Sequence, residues 1–180
     1  MSHRTTIRKR LGLVQVYTGD GKGKTTAALG LAMRANGYGL KVKIIQFLKP
    51  DEETGERNSA RDLGIGFVSI GTDHMDGTPV DMGTEGDLTA EAMAVAEGDL
   101  RSGEYDLVIL DEILNSVRLG VLPAEDVLAL LDSKAEHTEV VLTGRGAPQE
   151  IIDRADLVTE MRMIKHPYDA GIPARRGIEF

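Results

Sequence analysis

The sequence predicts an α/β fold in which a mostly parallel central sheet is flanked by helices. Short β-branched runs alternate with helical stretches along the chain, which is the pattern of parallel strands joined by crossover helices. The strand candidates are almost continuously apolar, as expected for strands that are buried on both faces. The length of 180 residues suits one domain with a full hydrophobic core.

The elements follow from apolar periodicity. Strands are expected at residues 13–17, 41–48, 66–70, 105–110, 139–142 and 157–161. Helices are expected at residues 25–36 and 88–101, and from Pro123, which suits a first helical turn, to about Ser133. The least regular stretches are 49–58 and the glycine-rich 71–86. Long loops of this kind are usually functional or mobile.

Composition excludes several classes of protein. The formal net charge of −8 and the aromatic content of 4% disfavour binding to nucleic acid. The absence of cysteine excludes disulfides, thiolate catalysis and zinc–thiolate sites. No apolar run approaches the ~18 residues of a membrane span, and residues 1–10 are polar and basic, unlike the apolar core of a secretory signal. We therefore expect a cytoplasmic protein that binds neither nucleic acid nor membrane.

Residues 1–10 are predicted to form a basic arm ahead of a single nucleotide-binding catalytic domain at 11–180. The arm carries Arg4, Arg8 and the pair Lys9-Arg10. We interpret it as a solvated tail. The alternative is an arm that folds over a phosphate-bearing ligand.

A glycine-rich segment, T-G-D-G-K-G-K-T at 18–25, lies between the first strand and the first helix. Its alternating glycines let the backbone turn sharply and direct N–H groups towards an anion. Lys24 supplies a cation to phosphates, and the Thr25 hydroxyl is placed to coordinate Mg²⁺. The segment, here called the phosphate loop, therefore predicts binding of a nucleoside triphosphate with Mg²⁺.

One position departs from the common form of this loop, G-x-x-x-x-G-K-[ST]. The common form has glycine where this chain has Thr18. Gly19 and Gly21 can preserve the bend, but we expect its shape to differ.

Two further motifs are expected at the same edge of the sheet. Asp111 and Glu112 end an apolar strand, so they should face the crevice that contains the phosphate loop. Either carboxylate can hold Mg²⁺, directly or through water; the alternative is a solvated acidic turn. Arg145 lies between two glycines after the next strand and is a candidate phosphate ligand; its alternative is a surface turn.

Together these motifs resemble the ATP:corrinoid adenosyltransferases of the CobA/CobO/BtuR type. The specific features are the phosphate loop without its first glycine, a Gln-Phe-x-Lys strand and a Lys-His-x-x-Asp-Ala-Gly tail, in that order. The resemblance covers nearly the whole chain, through residues 17–28, 46–49, 55–58, 110–112, 143–146, 165–171 and 177–180.

The resemblance implies a RecA-like P-loop NTPase fold and a transferase. Family members move the 5′-deoxyadenosyl group of ATP to cobalt(I) of a corrinoid, such as cob(I)alamin or cob(I)yrinic acid a,c-diamide, in cobalamin biosynthesis or salvage. The products are an adenosylated corrinoid, such as adenosylcobalamin, and triphosphate. ATP and Mg²⁺ are the implied cofactors and the corrinoid is the co-substrate. A homodimer and a reductant partner, such as a flavodoxin or another flavoprotein, are also implied.

Site residues follow from the resemblance one position at a time. Asp20 stands where the family commonly has asparagine. Lys24, Thr25 and Glu112 are the expected catalytic residues, and Thr25, Asp111 and Glu112 the expected metal ligands. The expected nucleotide-binding residues are Gly19, Asp20, Gly21, Lys22, Gly23, Lys24, Thr25, Thr26, Arg34 and Arg145.

Two departures from the family concern the corrinoid side. Some bacterial members use a Phe and a Trp after the third strand to displace the lower cobalt ligand, whereas residues 71–76 here contain no aromatic residue. Either His74 or Met75 substitutes for the pair, or the loop acts differently. Longer members also have an N-terminal helix over the neighbouring subunit's site, of which residues 1–10 are expected to form only part.

Two other functions compete with the adenosyltransferase. A RecA-like ATPase also places acidic residues after an apolar strand, and it would release ADP and phosphate. A small-molecule kinase would transfer the γ-phosphate and needs a base beside the acceptor, for which the sequence offers no obvious candidate.

Overall fold

The computed structural model describes residues 3–72 and 81–179. Its centre is a six-stranded sheet in the order β3-β2-β4-β5-β1-β6, and all of its strand pairings are parallel. The predicted α/β architecture is therefore confirmed. The strands are β1 (Val14–Thr18), β2 (Val42–Phe47), β3 (Gly66–Ile70), β4 (Leu107–Asp111), β5 (Glu139–Thr143) and β6 (Leu157–Glu160).

Helices cover both faces of this sheet, and three of them lie close to the positions expected from periodicity: α2, α4 and α6. The shorter helices α1, α3, α5 and α7 were not expected, because six to eight residues carry little apolar periodicity. The helices are α1 (His3–Arg8), α2 (Lys24–Gly37), α3 (Gly55–Asp62), α4 (Met82–Ser102), α5 (Ile113–Arg118), α6 (Ala124–Asp132) and α7 (Gln149–Arg154), followed by a 3₁₀ turn (Pro167–Ala170).

Parts of the stretches expected to be irregular, 49–58 and 71–86, are helical, and their helix caps explain why. The Thr54 side chain accepts a hydrogen bond from the backbone N–H of Arg57 and starts α3, although only Ala60 of that helix is buried. Asp81 caps α4, so residues 82–86 are helical as well. Residues 73–80 of the expected loop, which include His74 and Met75, lie outside the described residues.

The sheet is buried on both sides, as the apolar strands predict. In β4, Val108 and Leu110 pack into a cluster with α4 and α6. Leu107 and Ile109 pack into a second cluster with α2. Among the described residues, no helix has the length and apolar character that would let it cross a membrane.

The basic arm is not a solvated tail. Arg4 and Arg8 form ion pairs of 2.7 Å and 2.8 Å with the fully buried side chain of Asp106. Asp106 also accepts a hydrogen bond from the backbone N–H of Lys41 at 2.7 Å. These contacts lie at the N-terminal ends of the strands, whereas the phosphate loop follows the C-terminal end of β1. The structure therefore gives no support to an arm over bound phosphate either.

Candidate functional site

Thr18 explains how the phosphate loop manages without its first glycine. It is the last residue of β1 and pairs with Glu160 of β6. Its hydroxyl accepts a hydrogen bond from the backbone N–H of Ala147 at 3.2 Å, and its carbonyl accepts one from Met161 at 2.8 Å. The bend begins one residue later, at Gly19, which has a φ of 96°. Position 18 is therefore extended strand that any residue can adopt.

The segment after β6 crosses the phosphate loop. The backbone N–H of Gly21 donates to the carbonyl of Met161 at 2.7 Å. A Cβ atom on Gly21 would lie 2.7 Å from that oxygen and 2.8 Å from the carbonyl carbon of Arg162. The same carbonyl of Met161 would lie 2.4 Å from a Cβ atom on Gly19. These glycines are thus needed for close approach of the tail as well as for the turn.

Lys24 lies inside the curve of the loop. It is 8% exposed, and its Nζ donates to the carbonyls of Gly19 and Gly21 at 2.7 Å and 2.8 Å. Burial lowers the pKa of Lys24, and the positive charge of Arg145 lowers it further. The ammonium therefore holds two carbonyls of the loop together at the position where the motif requires a cation for phosphate.

Asp111 joins the phosphate loop to three strands. Its Oδ1 accepts hydrogen bonds from the hydroxyls of Thr25 at 2.9 Å and Thr143 at 2.7 Å. Its Oδ2 accepts one from Nε2 of Gln46 at 3.0 Å, and Gln46 in turn accepts from Ser69 at 3.1 Å. Asp111 is 2% exposed, so its orientation is fixed by buried donors. The acidic pair is consequently not a solvated turn.

Glu112 has an unusual backbone and a perturbed carboxyl group. Its φ is 65°, and its backbone N–H donates to Thr143 Oγ1 at 2.9 Å. Its side chain accepts a hydrogen bond from the Asn115 amide. Burial, and then the negative charge of Asp111, raise the pKa of Glu112. A cation at this position would lower this pKa again, because it favours the ionised carboxylate.

The oxygen atoms beside the phosphate loop are of the type that binds Mg²⁺. A hydroxyl from Thr25 and the carboxylates of Asp111 and Glu112 are oxygen ligands, which Mg²⁺ prefers, and the ion usually binds few protein groups. Within the described ranges, no group of three or more His, Asp or Glu side chains could hold a metal by itself. Phosphate oxygens and water would have to complete the coordination.

The two arginines predicted for the nucleotide lie in different places. The backbone N–H of Arg145 donates to Asn115 at 2.8 Å, and its exposed side chain is close enough to act on the pKa of Lys24. Arg34 is ten residues beyond Lys24 on α2, or about 15 Å along the helix. It lines a cavity of about 310 Å³ beside α1. This chain therefore brings Arg145, but not Arg34, to the phosphate loop.

Three further residues predicted to bind the nucleotide, Asp20, Lys22 and Thr26, lie at the surface. Asp20 and Thr26 are exposed, and Asp20 raises the pKa of Lys24. Lys22 points to the C-terminal tail, where its Nζ forms a 2.9 Å ion pair with Glu179. Glu179 also accepts hydrogen bonds from Arg175. The C-terminal tail thus contacts the phosphate loop through the ion pair between Lys22 and Glu179.

This ion pair predicts how the tail responds to pH. Hydrogen bonds from Arg175 and then Lys22 lower the pKa of Glu179 from 4.5 to about 2. Because the folded-state pKa is depressed, the stabilisation is present above pH 4.5 and is lost as the pH falls through about 2. We expect the backbone amide of Arg175, which donates to Glu179, to lose hydrogen-exchange protection over this range after correction for intrinsic rates. Glu179→Gln should already show low protection at pH 5, and equal protection at pH 5 and pH 2 in the unaltered chain would contradict the prediction.

Several residues that build the site were given no role by the sequence. Gln46 and Thr143 carried a weak signal, because each is a polar residue in or directly after a buried apolar strand. Asn115, which holds both Glu112 and Arg145, carried none. The crossing of the loop by Met161 carried none either, since it depends on the pairing of β1 with β6.

The chain is similar to known proteins over nearly its whole length. A family model described as ATP:corrinoid adenosyltransferase BtuR/CobO/CobP matches residues 10–180. The chain is 41% identical over 172 residues to the corrinoid adenosyltransferase CobA of Salmonella typhimurium, covering 94% of this chain and 86% of that protein. It is 39% identical over 171 residues to the corrinoid adenosyltransferase of Escherichia coli K12, with the same coverages. For the corrinoid adenosyltransferase of Pseudomonas aeruginosa the identity is 36% over 184 residues, covering 96% of this chain and 86% of that protein.

Proposed function

Since the chain belongs to the ATP:corrinoid adenosyltransferase family, we propose that its phosphate loop holds the triphosphate of ATP as a leaving group. The fold is the RecA-like P-loop fold, and the enzyme transfers the 5′-deoxyadenosyl group of ATP to cobalt(I) of a corrinoid. A bond forms between cobalt and C5′, the bond between C5′ and the triphosphate oxygen breaks, and triphosphate is released. The observation that supports these residue roles is the hydrogen bond between Thr25 and Asp111, because it joins the phosphate loop to the acidic pair.

The chain's own groups perform two tasks in this reaction. Lys24 and the loop N–H groups bind the triphosphate and stabilise the charge that develops on it as it departs. The same contacts fix C5′ relative to the corrinoid, and such positioning can supply a large share of the rate enhancement. No general base is needed because the attacking cobalt carries no proton. Arg145, which lies near Lys24, adds positive charge for the outer phosphates.

We assign different roles to the two carboxylates. Glu112 is the direct Mg²⁺ ligand, because its only described hydrogen-bond donor is Asn115 and a cation would relieve its raised pKa. Asp111 orients Thr25 and acts through it, because three protein donors already occupy its oxygens. When bound, Mg²⁺ supplies positive charge to the triphosphate.

The partners and the compartment are proposals based on the family resemblance. They are a homodimer, a reductant of the flavodoxin or flavoprotein type that delivers the electron for cobalt(I), and a cytoplasmic location where ATP is available. Arg34, which the single chain leaves away from the loop, stays a predicted nucleotide-binding residue. Light scattering of the purified protein tests the dimer, and cell fractionation tests the compartment.

Product analysis tests the proposed reaction. Incubation with ATP, Mg²⁺ and chemically reduced cobalamin should give adenosylcobalamin, seen by its absorbance, together with one equivalent of triphosphate. ADP and phosphate without an absorbance change would indicate the competing ATPase and overturn the proposal. Transfer of label from the γ-phosphate to an acceptor would indicate the competing kinase.

A further inference from the structure

The corner after β2 has a backbone that few residues adopt. Leu48, which directly follows β2, has a φ of 57°. Among the described residues, the only other non-glycine with positive φ is Glu112, which follows the neighbouring strand β4. Such conformations cost of order 1–3 kcal/mol and cluster at functional sites. Leu48 and Glu112 therefore lie at the ends of neighbouring strands, at the edge of the sheet that carries the phosphate loop.

The segment after β3 packs directly against this corner. A Cβ atom on Gly71 would lie 2.5 Å from Leu48 Cα and 2.6 Å from the backbone nitrogen of Lys49, so the two backbones are in direct contact. The next residue, Thr72, donates from its N–H at 3.1 Å and its hydroxyl at 2.6 Å to the fully buried Glu85. The side chain of Leu48 is itself buried, with 6% exposed.

The corner places Lys49 at the edge of the sheet that carries the acidic pair. Lys49 precedes Pro50, and a residue before proline is restricted to extended conformations. Gln46 is level with Asp111 in the β2–β4 pairing, and neighbouring strands lie about 4.8 Å apart. Lys49 thus lies just beyond the level of Glu112.

Among the described residues, Lys49 differs from the other lysines of the site in having no hydrogen-bond or ion-pair partner. Lys24 donates to two loop carbonyls, and Lys22 is paired with Glu179. In the ranges 3–72 and 81–179, the Lys49 ammonium makes no hydrogen bond and no ion pair within 4.0 Å. A partly exposed lysine that follows a constrained backbone, and whose ammonium has no partner among the described residues, is available for an anionic ligand.

We propose that Lys49 is a further substrate-binding residue whose ammonium contacts the triphosphate of ATP and stabilises it as it departs. The inference rests on the proposed function for the identity of the anion. With Lys24 and Arg145, Lys49 supplies a third positive charge opposite the carboxylates of Asp111 and Glu112. The shared chemistry is a phosphate oxyanion, and a corrinoid can also provide one through the phosphodiester of its nucleotide tail. The test therefore separates these two sources.

Lys49→Met removes the charge and keeps an unbranched stem, and Lys49→Arg keeps the charge. Lys41→Met is the matched control. Lys41 directly precedes the N-terminal end of β2, away from the phosphate loop, and forms an ion pair with Glu104. Calorimetry measures the binding of inorganic tripolyphosphate with Mg²⁺ to each protein. We expect Lys49→Met to weaken this binding about tenfold, as for loss of one charge-assisted hydrogen bond. Lys49→Arg should restore most of the affinity, and Lys41→Met should not change it.

Steady-state kinetics with two corrinoids identify the source of the phosphate. Cob(I)alamin carries the nucleotide-tail phosphodiester and cob(I)inamide lacks it. The proposal expects kcat/KM for ATP to fall about tenfold in Lys49→Met with both corrinoids. An effect confined to the KM for cob(I)alamin, with tripolyphosphate binding unchanged, would overturn it. If the unaltered enzyme formed no adenosylcobalamin while Lys49→Met still weakened tripolyphosphate binding, the proposed reaction would be wrong and the anion site would stand.

Discussion

Lys24→Ala is expected to lower kcat/KM for ATP by at least about a hundredfold while the protein stays folded. The ammonium bridges the carbonyls of Gly19 and Gly21 inside the loop, so its removal takes away a cation for phosphate and a constraint on loop shape. Each charge-assisted hydrogen bond contributes roughly 1.5–3 kcal/mol. Loss of two such bonds to phosphate oxygens would therefore account for the expected effect. Calorimetric titration with ATP and Mg²⁺, together with steady-state rates, measures it.

Two comparisons make this prediction specific. Lys41→Ala, at the other end of the sheet, should bind ATP like the unaltered protein. Circular dichroism should show the same secondary structure for Lys24→Ala, since the core clusters do not involve its side chain. An unchanged ATP affinity in Lys24→Ala would refute the role given to this residue.

Neutralising the two carboxylates one at a time is expected to give opposite effects on stability. Glu112→Gln should lower Mg²⁺-dependent activity by about a hundredfold or more, because it removes the proposed metal ligand. Asp111→Asn should also lower activity, but it places an NH₂ group among the hydroxyl and amide donors of Thr25, Thr143 and Gln46. An unsatisfied buried donor costs about 1–3 kcal/mol. Asp111→Asn should therefore reduce the free energy of unfolding, measured by urea denaturation.

The raised pKa of Glu112 predicts how Glu112→Gln changes stability at each pH. Burial and the charge of Asp111 raise the folded-state pKa of Glu112 above 4.5, so folding favours the protonated carboxyl group relative to the unfolded chain. The associated stabilisation is present below pH 4.5 and is lost as the pH rises through the folded-state pKa. In EDTA, we therefore expect Glu112→Gln to melt at a higher temperature than the unaltered protein at pH 7, and at nearly the same temperature at pH 4. A stabilised Asp111→Asn with a destabilised Glu112→Gln would mean that the two roles are reversed.

Sequence patterns captured the parts of this site that are local in the chain. The order of strand, glycine-rich loop and helix defines the loop at 18–25 without any knowledge of tertiary structure, and α2 begins at Lys24 as the motif requires. Asp111 and Glu112 were found because a continuous apolar strand ends in two charges. The sequence left open which carboxylate faces the metal, because that choice depends on donors from other strands, such as Gln46.

Features that depend on distant contacts were missed or misinterpreted. The basic arm looked like a solvated tail because its partner, Asp106, is about a hundred residues away in the chain. The role of Thr18 at the missing glycine became clear only when β6 was seen beside β1. The conformation of Leu48 has no signature in the residue type, since leucine disfavours positive φ. Such features result from tertiary packing, which overrides local preference.

The position of β1 between β5 and β6 also has a consequence for how the protein folds. Val14 is level with Val140, and Gln15 with Leu157, so the first strand is synthesised long before either partner. Chain closure over such separations is slow compared with local contacts, and synthesis proceeds at about 5–20 residues per second. We therefore expect β2, β3 and β4, which pair among themselves, to assemble on the ribosome first. The phosphate loop, although near the start of the chain, would be among the last parts to reach its native shape.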